Sequence, residues 1–197
     1  MREISKMLIV LTILSTISGT LLAALHNGTK ERIAIQELQF VKGPAINSIL
    51  EGASNNPIGD RFSMTVGESE MSFFVGAFDG EPRAVAFETF GKGYGGDVGL
   101  MVGLDLEDNK LLGVGVTTHG ETPGMGAKAK DDPSFVSQFK NLPLDQPFKV
   151  AADGGQISAI SGATITSRAV CSATNDAVKL YQELKPEIAK KIQEFAK

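Results

Sequence analysis

The sequence predicts an α+β protein: one N-terminal transmembrane helix, then a single extracytoplasmic domain in which helices pack on an antiparallel sheet. Three observations carry that prediction. Residues 8–25 form an uncharged run of Leu, Ile, Val, Ala, Ser, Thr and Gly. Residues 62–118 break into four apolar runs, 71–78, 84–90, 98–104 and 111–116, with turn residues between them, and connections that short favour antiparallel neighbours. Beyond residue 164, apolar side chains recur at helical spacing.

A chain of 197 residues holds an anchor and one domain whose core needs no staple. The net charge of −4 and the lack of a basic block argue against nucleic acid as a partner. A single cysteine, Cys171, leaves no internal disulfide, iron–sulfur cluster or c-type haem, and two histidines cannot build a multi-His site, so no metal is expected. If the chain handles electrons, an organic cofactor must carry them.

Taken in order, residues 1–30 read as a cytoplasmic N-terminus and anchor. As a helix, residues 8–25 would span about 27 Å, close to a bilayer core of about 30 Å. A cleavable signal peptide has a shorter apolar region, so length favours an uncleaved anchor. Arg2 and Lys6 precede the run while Lys30 and Arg32 follow it; with the terminal amine, the bias keeps the N-terminus in the cytoplasm. Residues 31–60 read as a linker or helical stalk, broken at Gly43-Pro44. The main domain then covers 61–197.

Within it, Gly91-Lys92-Gly93-Tyr94-Gly95-Gly96-Asp97 lies between two strand-like runs. A dinucleotide fingerprint needs a helix after the glycines, which excludes a Rossmann reading. The glycines suit either a hairpin or a close backbone approach to a flat or charged ligand. Thr117-Thr118-His119-Gly120-Glu121-Thr122-Pro123-Gly124-Met125-Gly126 reads as a polar loop turned at Pro-Gly. Asp131-Asp132-Pro133-Ser134 starts a short helix burying Phe135, Val136 and Phe139, and a strand is expected at 148–151.

Ser161-Gly162-Ala163-Thr164-Ile165-Thr166-Ser167 closes a Gly-rich approach and opens the long helix. Thr164 should sit near its N-terminus, where free N–H groups and the positive dipole end suit a phosphate; Ser and Thr also serve there as ordinary caps. The apolar stripe Ile165, Ala169, Ala173, Ala177, Leu180, Tyr181 and Leu184 runs until Pro186 interrupts it, and a short closing helix follows. Cys171 falls in that helix as a small core residue.

"SGATITS", "HGETPGMG" and "GYGGDVGLMVGLD" together resemble the FMN-binding domain shared by the G subunit of Rnf-type ion-translocating complexes and the C subunit of sodium-translocating NADH:quinone oxidoreductases. The length favours the Rnf type. The resemblance implies one FMN held as a phosphoester on Thr164, within a cradle of Ser161, Gly162, Ala163, Thr166 and Ser167. It further places His119, Glu121, Thr122, Gly124, Met125 and Gly126 against the flavin, with Glu121 and Thr122 at the isoalloxazine edge and Met125 on its face, and Tyr94 and Gly95 in the glycine loop. The chain departs from the family at Met125, where Leu is usual, at Asp97, where Pro is frequent, and at Ser158, where an Asp is usual, Asp153 lying upstream.

The function so implied is electron relay in an inner-membrane complex linking ferredoxin and NAD, alongside other membrane subunits. No stand-alone catalytic site is expected, and attachment would need a flavin transferase because no base stands beside Thr164 in sequence. Two alternatives remain at this level: an anchored extracytoplasmic adaptor without flavin, and a stand-alone flavin reductase.

Overall fold

The computed structural model describes residues 2–195. The chain divides into two compact units, Met1–Leu38 and Gln39–Lys197. The first is dominated by α1 (Arg2–Gln36), which buries none of its residues. It lies in a helical run long and apolar enough to cross a membrane. The hydroxyls of Thr12, Thr16, Thr20 and Thr29 each donate to the carbonyl four residues back at 2.8 Å. Their polarity is thereby satisfied inside the helix, as an apolar medium requires.

A π-helical turn, Glu37–Lys42, leads from α1 into α2 (Gly43–Ile49). Gly43-Pro44 therefore does not break the chain out of helix, contrary to the sequence expectation. Pro44 directly follows the π turn, and a widened turn is one way a continuous helix accommodates a residue that has no N–H to donate. Ile46, Ile49 and Leu50 are buried. A Cβ on Gly115 would stand 2.8 Å from that of Ala45, and one on Gly76 would stand 3.0 Å from Leu50 Cδ2. Packing on the sheet thus starts before residue 61, within the stretch read as a stalk.

Six strands follow in a meander: β1 (Arg61–Val66), β2 (Ser69–Phe78), β3 (Glu81–Lys92), β4 (Asp97–Asp105), β5 (Lys110–Val116) and β6 (Leu142–Pro143). Neighbours in sequence are antiparallel neighbours in space throughout. Asp79 and Gly80 both take positive φ, 55° and 85°, which is what a two-residue hairpin turn with the sheet's own twist demands. Val85 and Phe87 of β3, with Leu100 and Val102 of β4, share one core with α5 (Thr164–Ile192). The other face takes α2. Because both faces are covered, residues 84–87 of β3 and 98–104 of β4 read as continuous runs without a polar side chain.

Two short helices, α3 (Lys128–Asp131) and α4 (Pro133–Ser137), close the side of the sheet; Asp132 caps α4 through the Ser134 amide at 2.9 Å. Two expectations are corrected here. Pro186 does not end α5, which continues to Ile192 before the 3-10 turn Gln193–Phe195; Ile188 and Ile192 stay on the buried face, so tertiary packing outweighs the lost hydrogen bond. Nor is there a strand at 148–151. Only the bridge Val150↔Ile157 forms, because the amide and carbonyl of Phe148 are both taken, at 2.8 Å, by the Asn175 side chain of α5.

Candidate functional site

The glycine stretch is the hairpin between β3 and β4, and its tip meets the loop after β5. A Cβ on Gly95 would collide with the carbonyl of Gly120, so glycine permits the contact. Glu121, 6% exposed, joins three segments. Its Oε1 accepts from the Gly95 amide at 2.8 Å, and its Oε2 accepts from the Thr166 hydroxyl of α5. A Cβ on Gly126 would stand 2.6 Å from Oε2 and 2.8 Å from Thr166 Oγ1, so the loop closes over this carboxylate only because residue 126 has no side chain. His119 Nδ1 accepts from the Glu121 amide at 3.3 Å. Gly124, at φ 74°, turns the chain back toward α3.

The start of α5 is built by its own sequence. Gly162 takes φ 79°, and Thr164 is the first helical residue. The N-cap is Ala163, which has no side chain to cap with. Ser167 instead reaches backward, donating to the Ala163 carbonyl at 3.0 Å and accepting from the Ile160 amide at 2.9 Å. The ordinary capping reading of the Ser/Thr cluster is therefore not what the structure shows. The first-turn amides have no side-chain cap, and anions are favoured at such an end.

Between these pieces lies a pocket of about 500 Å³ lined by Tyr94, Glu121, Thr122, Met125, Gly126, Gly162, Ala163, Thr164, Ile165 and Thr166. Its size falls in the range of small-molecule sites. Thr164 is half-buried, while Tyr94, Met125 and Ile165 are 75%, 48% and 47% exposed. Of the residues singled out in the sequence, nine line this space. Gly95, His119 and Ser167 stand behind it through their hydrogen bonds, and Ser161 and Gly124 are exposed at its approaches. Ile165, expected in the buried stripe of the helix, lies on the pocket side instead, while Thr166 and Ser167 of the same turn are buried. Its place next to Thr164 is the sequence signal that points there.

Nearby groups are already engaged. Arg168, one turn after Thr164, holds Asp153 through two hydrogen bonds of 2.7 Å. Those bonds keep the Asp153 carboxyl below the usual carboxylate range and raise the guanidinium. Ser158 is tied through its backbone to the Gln138 side chain, at 2.7 Å and 3.2 Å. Cys171 is buried, and desolvation, helped by the charge of Asp153, pushes its thiol up to about 11.

Residues 93–179 match the model of the FMN-binding domain, a stretch that includes the tip of the glycine hairpin, the pocket loop and the start of α5. The G subunit of the ion-translocating oxidoreductase complex of Cereibacter sphaeroides is 31% identical over 189 residues, covering 91% of this chain and 85% of that one. Its namesake from Methanosarcina acetivorans is 28% identical over 179 residues, covering 90% and 94%. Among solved structures, the C subunit of the Na+-translocating NADH-quinone reductase of Parabacteroides distasonis is 28% identical, with a TM-score of 0.49 over 59% of this chain and 63% of that one.

Proposed function

This chain belongs to the G-subunit family of ion-translocating oxidoreductase complexes and contains an FMN-binding domain, and from that premise we propose that it relays electrons through one FMN esterified to Thr164. The reading places it in the inner membrane by α1, with the domain on the extracytoplasmic side, among the other subunits of an Rnf-type complex linking ferredoxin and NAD.

The observation that carries it is the setting of Thr164: a half-buried hydroxyl on an uncapped helix start, in the wall of a pocket whose apolar side chains stand open. That donor set fits FMN at both ends. The first-turn amides of α5 suit a phosphate diester, and Tyr94, Met125 and Ile165 offer apolar surface to a flat ring. Thr122 lies on the rim, where it can reach a polar edge. Bound FMN would supply one- and two-electron transfer chemistry that no side chain here provides. A helix terminus contributes about 0.3–1 kcal/mol to holding an anion, far too little to retain a cofactor. The ester would retain it, keeping the ring near its seat at an effective concentration of order millimolar.

No hydrogen bond links the Thr164 hydroxyl to a carboxylate or imidazole among the described residues, and Glu121 already accepts from two donors. Attachment therefore falls to a separate flavin transferase, which would supply FAD, take the Thr164 proton and release AMP. Intact mass after expression with and without such a transferase tests the reading. One FMN ester should appear only with the transferase and disappear in Thr164→Val. An adduct that persists in the variant, or its absence from the native chain, contradicts the assignment.

A further inference from the structure

A second polar cluster, apart from the pocket, is centred on Glu88 of β3. Its side chain is 15% exposed and its Oε2 lies 2.9 Å from Lys42 Nζ, itself 26% exposed. Its Oε1 accepts from the Thr117 hydroxyl. Thr117 is fully buried, follows β5 directly, and its carbonyl accepts from Lys130 Nζ of α3 at 2.6 Å. The sheet leaves room for this arrangement: a Cβ on Gly99 would stand 2.6 Å from Thr117 Oγ1.

The placement matters more than the bonds taken singly. Between Thr117 and α3 the chain is the pocket loop, with His119, Glu121, Thr122, Met125 and Gly126. Thr117 is the neck of that loop, its carbonyl held from the far end by Lys130 and its hydroxyl held by Glu88. Lys42 is the last residue of the π turn. A carboxylate this sheltered keeps one orientation only while its charge is paired. Without Lys42 it would turn toward water and take the acceptor of Thr117 with it.

We infer that Glu88 is a positioning residue for the pocket loop, set by Lys42, so that the π turn and the pocket share one clamp at Thr117. The loop part of this inference stands without flavin; the part concerning the cofactor rests on the function proposed above.

The test separates the two. In full-length chain in detergent carrying Thr164→Val, so that no variant bears an ester, amide hydrogen exchange is followed at the hydrogen-bonded amides of the pocket loop, Glu121, Met125 and Ala127. Lys42→Met should raise exchange there at least tenfold while leaving residues 85–87 of β3 unchanged. Lys42→Arg, which keeps the pair, should stay within twofold of the parent. Glu88→Gln, which keeps an acceptor for Thr117 but not the charge, should fall between. Exchange within twofold of the parent in Lys42→Met overturns the inference, and so does a rise spread over the whole sheet, which would mean a general stabilising role. With Thr164 intact, the midpoint potential of the attached flavin should move in Lys42→Met and return in Lys42→Arg, and a potential that does not move overturns the cofactor part. A chain that takes no flavin contradicts the proposed function and leaves the exchange result standing.

Discussion

Glu121 shows how one side chain can be worth more to a site by facing inward. Its two oxygens each accept from the chain itself, at Gly95 and Thr166, so its first task is to hold the glycine hairpin and the loop against the start of α5. Glu121→Ala would orphan the buried Thr166 hydroxyl, at about 1–3 kcal/mol, and release the amide of exposed Gly95 to water. Urea denaturation of the full chain should show that loss. Glu121→Gln, which keeps an acceptor, should lose less, and equal losses would mean that the charge rather than the geometry matters. Cys171 behaves oppositely, contributing packing and no chemistry. With its thiol near 11 instead of 9.0, the unfolded chain ionises first. The linked stability is intact below about pH 9 and is lost as pH climbs toward 11. A maleimide at pH 8 should label Cys171 in urea and leave it untouched in the native chain.

Among the elements, the join between α5 and β3 is set by what is absent. The carbonyl of Ala169 occupies the place where a Cβ of residue 91 would go, and two residues earlier the Thr89 hydroxyl donates to the Ala173 carbonyl at 3.0 Å. Gly91→Ala must push the helix off the sheet at the end that carries Thr164. An overpacking cost of about 1–3 kcal/mol is expected, seen as a lower urea midpoint with an unchanged slope. This level was partly legible beforehand. Strands β2 to β5 could be read because apolar runs with short turns between them mark each one. Strand β1 could not be singled out, because exposed Arg61, Ser63 and Thr65 alternate with half-buried Phe62, Met64 and Val66, leaving no apolar run. The Asn175 side chain, 27 residues from Phe148, replaced a strand partner that only the folded chain reveals. The pocket was legible as two loops far apart in sequence. That Glu121 faces inward, and that Ile165 faces the pocket, depended on contacts such as that of Glu121 with Thr166, 45 residues apart in sequence.

The whole molecule pairs a helix that buries nothing with a domain that keeps its core to itself. Every residue of α1 is exposed, Ile4, Leu8, Leu11 and Leu22 among them at 59% or more. In water that surface would be a liability; in lipid it needs no protein partner. The domain's core draws on residues from α2 through α5 and none from α1. Removing residues 1–38 should therefore cost the domain little stability. A chain of residues 39–197 should be soluble without detergent and unfold in one cooperative transition, with a midpoint within a few degrees of that of the full chain. On the proposed function, export alongside a flavin transferase should give it the same Thr164 ester as the full chain, since pocket and helix start both lie inside it. What it should lose is membrane association: the full chain should stay in the pellet after alkaline carbonate extraction, and the shortened one should leave it. Aggregation of residues 39–197, or unfolding well below the full chain, would mean that the helix supports the domain and is more than its anchor.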